Sequence, residues 1–286
     1  MPGPEEAAGA VLVSAMWSWS AFVLEPARAV RVASGKGPDP QLVAIADERG
    51  PGLGPMFSRT LTAPRLLSEA TDHDHLVAEF DRLSEVYDSY VRPFSTPVFA
   101  TAIDVLRPLI TSDARLLDAG CGPGRELRAM ARLVPDGEVV GVDLAAGMVV
   151  SAYEGARAAG LDNTAFVQSD VGDLPADFEG AFDGVYNCLA HHHYPEPAAA
   201  AAGILRCLRP GGWYAVIDPG PAWFVALSST LSKLADPGWI GFHTPAEFAQ
   251  LFGAAGFVNF SWHDLLPGFG LALGMRPAEG EANSGP

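Results

Sequence analysis

Leu116-Leu117-Asp118-Ala119-Gly120-Cys121-Gly122-Pro123-Gly124 is the stretch on which the reading of the fold turns. A short apolar run, read as a buried strand over Arg115–Ala119, leads straight into Gly-x-Gly-x-Gly. Glycines at those positions let the chain turn tightly and let its backbone approach a ligand with no Cβ in the way. A helix is expected to start at once, from about Arg125, so its unpaired N–H groups face the same space. Taken alone, the pattern is also what an ordinary strand-to-helix turn looks like.

The flanking sequence narrows this. Nineteen positions after Gly124, the run Val139-Val140-Gly141-Val142 ends in Asp143. A carboxylate at the tip of a second strand can accept two hydrogen bonds from a ribose diol. It can also cap the next helix, and the two roles are compatible. A third tip follows at Phe166-Val167-Gln168-Ser169-Asp170-Val171, where Asp170 is placed to accept from an amino group and the Val171 N–H to meet a ring nitrogen. Glycines, then Asp, then Asp at successive strand ends fit a nucleoside lying across the carboxyl edge of a sheet. The loop is Gly-x-Gly-x-Gly rather than the Gly-x-Gly-x-x-Gly of nicotinamide dinucleotide sites, and Asp118 precedes it on the strand.

Strand and helix signals alternate along residues 72–276. Strands are expected at Ala165–Ser169, Gly184–Cys188 and Trp213–Asp218, and helices at Ala146–Ala158 and Pro197–Leu208. Such alternation predicts a mostly parallel sheet covered on both faces. Two more helices are expected before the glycine loop, at 75–91 and 97–110. A helix at Pro245–Ala255 is expected after the sheet, followed by an antiparallel hairpin of Val258–His263 and Gly270–Met275. The predicted architecture is therefore α/β: a Rossmann-like seven-stranded sheet, mostly parallel, with helices on both faces and a C-terminal antiparallel hairpin. Residues 1–70 are an N-terminal extension rich in Gly and Pro, serving as a lid, a dimerisation arm or a partly disordered segment. Within it Trp17-Ser18-Trp19-Ser20 alternates like a strand, while Val11–Leu24 fits a buried helix as well. Residues 71–276 form the main domain, and 277–286 a flexible tail.

Composition excludes several roles. The chain has 286 residues with 18 Lys+Arg against 34 Asp+Glu, a formal charge of −16, which disfavours a nucleic-acid substrate. Lys36 and Lys233 are its two lysines. Three cysteines, Cys121, Cys188 and Cys207, have neither zinc-ligand spacing nor an even count for disulfides, and they suit a reducing, cytoplasmic compartment. The apolar run near the N-terminus is too short to span a membrane and follows acidic residues rather than basic ones. No metal is expected: three histidines in a row, His191 to His193, point apart in extended chain and chelate poorly.

On these motifs the sequence resembles the class I S-adenosylmethionine-dependent methyltransferases. Asp118 to Gly124 matches the family's first motif, Asp143 its ribose-binding acid and Asp170 its adenine-side acid. Leu208-Arg209-Pro210-Gly211-Gly212 matches the turn before strand five. His192-His193-Tyr194-Pro195-Glu196-Pro197 is similar to a His-His-aromatic-Pro-Asp-Pro run after strand four. A looser similarity, through the helix containing Tyr87 and through Phe242 to Gly274, is to ubiquinone/menaquinone-type C-methyltransferases. The resemblance implies S-adenosyl-L-methionine as cofactor and S-adenosyl-L-homocysteine as product. It assigns Asp118, Gly120, Cys121, Gly122, Gly124, Asp143, Leu144, Met148, Asp170, Val171 and Asn187 to cofactor binding. It implies methyl transfer to C or O, less readily N, of a small and fairly apolar molecule in secondary metabolism.

A general base is needed only where the acceptor must lose a proton. Histidine, with an ordinary pKa near ~6.5, suits that work, and His191 and His192 are the candidates, His191 first. Tyr87, on a helix able to close over the site, and Asp218, at the end of strand five, complete the catalytic set. Each has a structural competitor: loop capping for the histidines, packing for Tyr87, a turn cap for Asp218. The apolar stretch at 221–236 is expected to form a substrate wall. Rival functions are a cyclase or isomerase that keeps the cofactor pocket without methylating, and a regulatory protein that assembles as a homodimer through its N-terminal extension.

Overall fold

The computed structural model describes residues 87–220 and 239–280, with the side chains of 87–94 excepted. It also describes four short N-terminal strands and the helical residues Val225 and Ser229. Trp19–Ser20 pairs antiparallel with Ser58–Arg59, and Arg28–Arg31 with Val43–Ala46. The expected helical run at 75–86, the rest of Val11–Leu24, the 221–236 wall apart from Val225 and Ser229, and residues 281–286 lie outside the described residues.

Seven strands build one sheet: β1 Arg115–Ala119, β2 Glu138–Asp143, β3 Thr164–Gln168, β4 Phe182–Cys188, β5 Leu208–Pro219, β6 Val258–Asp264 and β7 Phe269–Met275. Their order across the sheet is β6-β7-β5-β4-β1-β2-β3. β1 to β5 run parallel, and β7 returns antiparallel beside β5 before pairing with β6. The chain thus leaves β1 toward β2 and β3 on one side, then crosses back to β4 and β5 on the other. That reversal opens a crevice at the carboxyl ends of β1 and β4, where open α/β sheets bind their ligands.

Among the described residues five α-helices flank the sheet: α1 Tyr87–Leu106, α2 Arg125–Ala131, α3 Ala146–Ala158, α4 Pro197–Cys207 and α5 Pro245–Ala255. The two-residue period of the strands sorts the core into two layers. Leu117, Ala119, Val140 and Val142 face α4 and α5, meeting Ile204, Cys207, Phe248 and Phe252. Leu116 and Val139 face the other way, onto Phe99 and Leu106 of α1, Leu127 and Met130 of α2, and Val149 and Ala152 of α3. Each fully buried side chain of this size contributes about 1.5–3 kcal/mol of transfer free energy.

α1 corrects one expectation. A break was expected between 91 and 97, yet the helix is continuous from Tyr87 through Pro93 and Pro97. Each proline removes one helical N–H. Burial of Val98, Phe99, Ala102 and Leu106 against the sheet offsets that loss. α5 follows its sequence closely. Thr244 and Glu247 form a reciprocal capping box, Pro245 occupies the first turn, and Gly256 ends the helix at φ 100°. Among the described residues no helix is long and apolar enough to cross a membrane.

Two tryptophans lie flat over glycines of neighbouring strands. A Cβ at Gly184 on β4 would stand 2.1 Å from the Trp213 indole on β5, its register partner. A Cβ at Gly270 would stand 2.0 Å from Trp262. Gly184→Ala is therefore expected to overpack the sheet and to destabilise the protein by about 1–3 kcal/mol, read as a lowered midpoint in thermal denaturation. An unchanged midpoint would show that the indole moves aside freely.

Candidate functional site

The glycine loop leaves β1 at Ala119. The N–H groups of Gly120 and Cys121 both donate to the Val142 carbonyl, at 2.8 and 2.9 Å, so the loop stays tied to β2. Gly120, Gly122 and Gly124 have φ of 83°, 50° and 71°, a region that side chains avoid. Sterics add to this at the outer two. A Cβ on Gly120 would lie 2.8 Å from Ala190 Cβ, and one on Gly124 2.8 Å from Ala152 Cβ. Cys121 turns inward against Gly141, and burial pushes its thiol pKa well up, so it stays protonated.

Asp143 sits at the tip of β2. Its Oδ2 accepts from Gly122 N at 2.8 Å and its Oδ1 from Ala145 N at 3.0 Å. It is thus both the brace of the glycine loop and the anchor of the turn into α3. Asp170, at the tip of β3, accepts from Gly172 N at 2.8 Å and caps the short helical turn Val171–Asp173.

One cavity lies over these tips. Its wall includes Gly120, Cys121, Gly122, Asp143, Leu144, Met148, Asp170 and Val171. Eight of the eleven residues expected to hold the cofactor are therefore brought together. The other three lie behind the wall. Gly124 packs on α3 as described. Asp118 is buried on β1 at 2% exposure. Asn187 is a correction: its side chain is a lock rather than a cavity contact. Nδ2 donates to the Ala119 carbonyl and to the Tyr194 hydroxyl, both at 2.6 Å, and Oδ1 accepts from His191 N at 3.0 Å. Tyr194 itself donates to the Ala119 carbonyl at 2.7 Å. The loop after β4 is thereby pinned to the end of β1.

Sequence reasoning missed part of the wall: Ser95, Glu126, Cys188, Leu189, Ala190, His193 and Tyr194 also line the cavity. Glu126 carries a readable signal, being an acid in the first turn after the loop. Leu189, at φ 55°, does not, because nothing in its side chain announces a left-handed backbone.

The histidine run divides in a way the sequence did not order. His191, expected to be the foremost base, is 2% exposed and does not reach the cavity. Its ring packs in an aromatic box, with centroids 5.0 Å from His243, 5.1 Å from Phe248 and 5.2 Å from Tyr194. Burial, then His243 and His192, hold its pKa well below the ordinary 6.5. His192 is likewise absent from the cavity wall. It pairs with Asp218, Nδ1 to Oδ1 at 2.7 Å, both side chains buried. Asp218 therefore serves His192 instead of capping its turn. His193 is the one of the three on the wall, its ring centroid 4.1 Å from that of His192. Tyr87 opens α1, and its side chain lies outside the described residues.

Comparison with known proteins agrees with this geometry. A methyltransferase-domain family model matches residues 116–212. Nocamycin O-methyltransferase of Saccharothrix syringae is 37% identical over 204 residues, spanning 63% of this chain and 71% of that protein. Ubiquinone biosynthesis O-methyltransferase of Xanthomonas oryzae pv. oryzae is 34% identical over 170 residues, 53% of this chain and 69% of the relative. Among solved structures, the [4+2]-cyclase SpnF superposes with a TM-score of 0.58 at 18% identity, over 72% of this chain and 97% of that one, which shows a shared fold. The chain belongs to the class I S-adenosylmethionine-dependent methyltransferases. Its cofactor is S-adenosylmethionine, and a glycine-lined cavity with carboxylates at successive strand tips fits that molecule.

Two expected outcomes follow from this architecture. Asn187→Leu leaves the buried Ala119 carbonyl and His191 N–H short of partners, a cost of about 1–3 kcal/mol for each group fully unsatisfied. Thermal denaturation should show the loss and titration with S-adenosylhomocysteine a weakened affinity; retention of both would refute the lock. The depressed pKa of His191 sets a pH dependence. As pH falls through about 6.5, an unfolded-state histidine takes up a proton that the buried ring refuses, so stability is lost on the acid side. His191→Phe should flatten the acid limb of the melting temperature measured between pH 7 and pH 5, and an identical limb would exclude His191 as its source.

Proposed function

We propose that the protein methylates a hydroxyl oxygen, phenolic or enolic, on a small and fairly apolar molecule of secondary metabolism. The observation that carries this reading is the buried His192–Asp218 pair at the carboxyl ends of β4 and β5. A carboxylate on Nδ1 fixes the tautomer in which Nε2 holds the basic lone pair, as in other His–Asp pairs that work as bases. A hydroxyl acceptor must lose its proton as the new C–O bond forms, so a positioned base has a task here. Both named relatives are O-methyltransferases, which supports oxygen over carbon.

S-adenosylmethionine, held by the glycine loop and Asp143, would supply an electrophilic methyl group. The rest is done by the chain. The glycine loop and Asp143 hold the nucleoside end in place, and Leu189 and Ala190, pinned through Asn187, form the wall beside the transferring group. His193, on the wall, stands between the acceptor and His192, so the acceptor proton passes by way of His193 to His192, while Asp218 balances the charge that appears on the His192 imidazole. Holding the reactants in line and keeping water out provides the remaining acceleration.

Incubation with S-adenosylmethionine and a panel of phenols and enols, followed by mass spectrometry, should give a product heavier by one methylene together with S-adenosylhomocysteine. His192→Ala and Asp218→Asn should each lower kcat, by about 10²–10⁴-fold for the loss of the base, while S-adenosylhomocysteine still binds. Conversion of substrate without formation of S-adenosylhomocysteine would favour a cyclase or isomerase instead. Unaltered kcat in His192→Ala would remove the base from the mechanism.

A further inference from the structure

The glycine loop is braced from behind as well as from its neighbouring strand. Gly122 and Pro123 both reach the cavity wall. The first backbone bond of α2 runs from Arg128 N to the Gly124 carbonyl, at 3.0 Å, so the Pro123 carbonyl stands outside the helical ladder. A side chain meets it instead: Arg128 Nη1 donates to Pro123 O at 2.8 Å. The donor is charged, which makes this one of the stronger kinds of hydrogen bond. Arg128 is half-buried, and a glycine on the next helix makes room for it. A Cβ at Gly155 of α3 would lie 3.1 Å from Arg128 Cζ and closer still to Nη1. A Cβ at Gly124 would lie 3.5 Å from the same Nη1. The guanidinium therefore fills a slot between α2 and α3, under the back of the loop and over the bare backbone of Gly155.

We propose that Arg128 is a positioning residue for the cofactor, holding the Pro123–Gly124 peptide in one orientation from the side away from the cavity, and that Gly155 is the residue that admits it. The inference rests on the cofactor assignment above and adds to it the group that keeps the loop ready. Arg128 is not part of the described cavity wall, so it acts through the peptide it holds.

The need for such a brace comes from the glycines themselves. Left-handed glycines let the loop approach a ligand, and they also leave it free to take other conformations. A planar peptide whose carbonyl is unheld can rotate as a unit about the torsions on either side, and Gly124 tolerates either sign of φ. That rotation would redirect the Gly124 N–H, which donates to the Cys121 carbonyl at 2.9 Å and closes the turn carrying Gly122. Gly122 N in its turn donates to Asp143. Fixing the Pro123 carbonyl thus fixes the turn, then Gly122, then the carboxylate at the tip of β2. A loop already ordered loses less entropy when the ligand binds, and the difference appears as affinity.

Calorimetric titration of the full chain with S-adenosylhomocysteine tests this, with thermal denaturation run beside it. That ligand carries no net charge near neutral pH, so loss of a positive charge behind the loop has little direct effect on it. Arg128→Met should raise Kd by about tenfold or more, the range expected for one hydrogen bond from a charged donor. Arg128→Lys, which keeps a cationic donor, should restore part of the affinity. Gly155→Ala gives an independent reading. The nearest atoms to its added methyl all belong to the flexible end of Arg128, so the fold is kept, and Ala favours a helix over Gly. Its melting midpoint should hold or rise while its Kd rises as in Arg128→Met, a split that a merely structural role would not produce. In the Arg128→Met background, Gly155→Ala should leave Kd where it is. Arg132→Met, which removes an exposed arginine at the end of the same helix, should leave Kd unchanged. An unaltered Kd in Arg128→Met or in Gly155→Ala, additive effects of the two, or an equal rise in Arg132→Met would overturn the proposal and leave the cofactor assignment standing. Failure of the unsubstituted protein to bind S-adenosylhomocysteine would overturn both.

Discussion

The carbonyl of Ala119 is where the sheet stops and the site begins. Inside a parallel sheet every carbonyl has a strand partner, but at the last residue of β1 the chain must leave the ladder to make room for a ligand. A buried carbonyl left open there would cost about as much as a lost hydrogen bond. This protein fills the place with two donors, Asn187 Nδ2 near the end of β4 and the Tyr194 hydroxyl from the loop that follows it. The consequence is positional. The loop after β4 is drawn over the glycine loop until Ala190 sits against Gly120, at a separation that excludes any Cβ on Gly120. Cavity wall, glycine requirement and the course of the histidine run all derive from satisfying that one acceptor.

The same constraint explains what could be read from the chain and what could not. The glycine loop, Asp143 and Asp170 were legible because their chemistry is local. Each is a residue type with few alternatives at a strand tip, and each lies within a few residues of its strand. The seven strands were legible from apolar runs and turn residues. Asn187 and the histidines were harder, because their roles are set by partners distant in sequence. Asn187 finds Ala119 across 68 residues and His192 finds Asp218 across 26. Adjacent histidines look equivalent in a sequence. A helical turn at His191–His193 sends their side chains in different directions, into the aromatic box, toward β5 and into the cavity. α1 failed for another reason: proline is a strong local signal, and packing of the helix on the sheet overrode it.

Charge follows from the fold as well. The carboxyl edge of a parallel sheet collects the residues at each strand's end, and in this chain two of those tips, β2 and β3, carry acids, Asp143 and Asp170. Part of the resulting repulsion is absorbed by backbone. Gly122 N and Ala145 N donate to Asp143, and Gly172 N donates to Asp170. Asp118 is different. It stands within β1 rather than beyond it, where neighbouring N–H groups are already committed to the ladder. Burial there pushes its pKa well up, toward the neutral acid, and the Tyr186 hydroxyl on β4 is its hydrogen-bond partner.

The split of the histidine run bears on mechanism more than the count of histidines does. A base must be near the acceptor, must be held in one tautomer, and must tolerate a positive charge when it takes a proton. His191 fails the last condition, since its aromatic box disfavours the charged ring. His193 meets the first, being on the wall. His192 has the carboxylate of Asp218 at 2.7 Å, which meets the second and third together. The carbonyl of His192 also accepts from Ile240 N at 2.8 Å, so the backbone that carries the dyad is tied to the segment leading into α5. The His192–Asp218 dyad is thereby held at the carboxyl ends of β4 and β5, on the far side of β1 from Asp143 and Asp170.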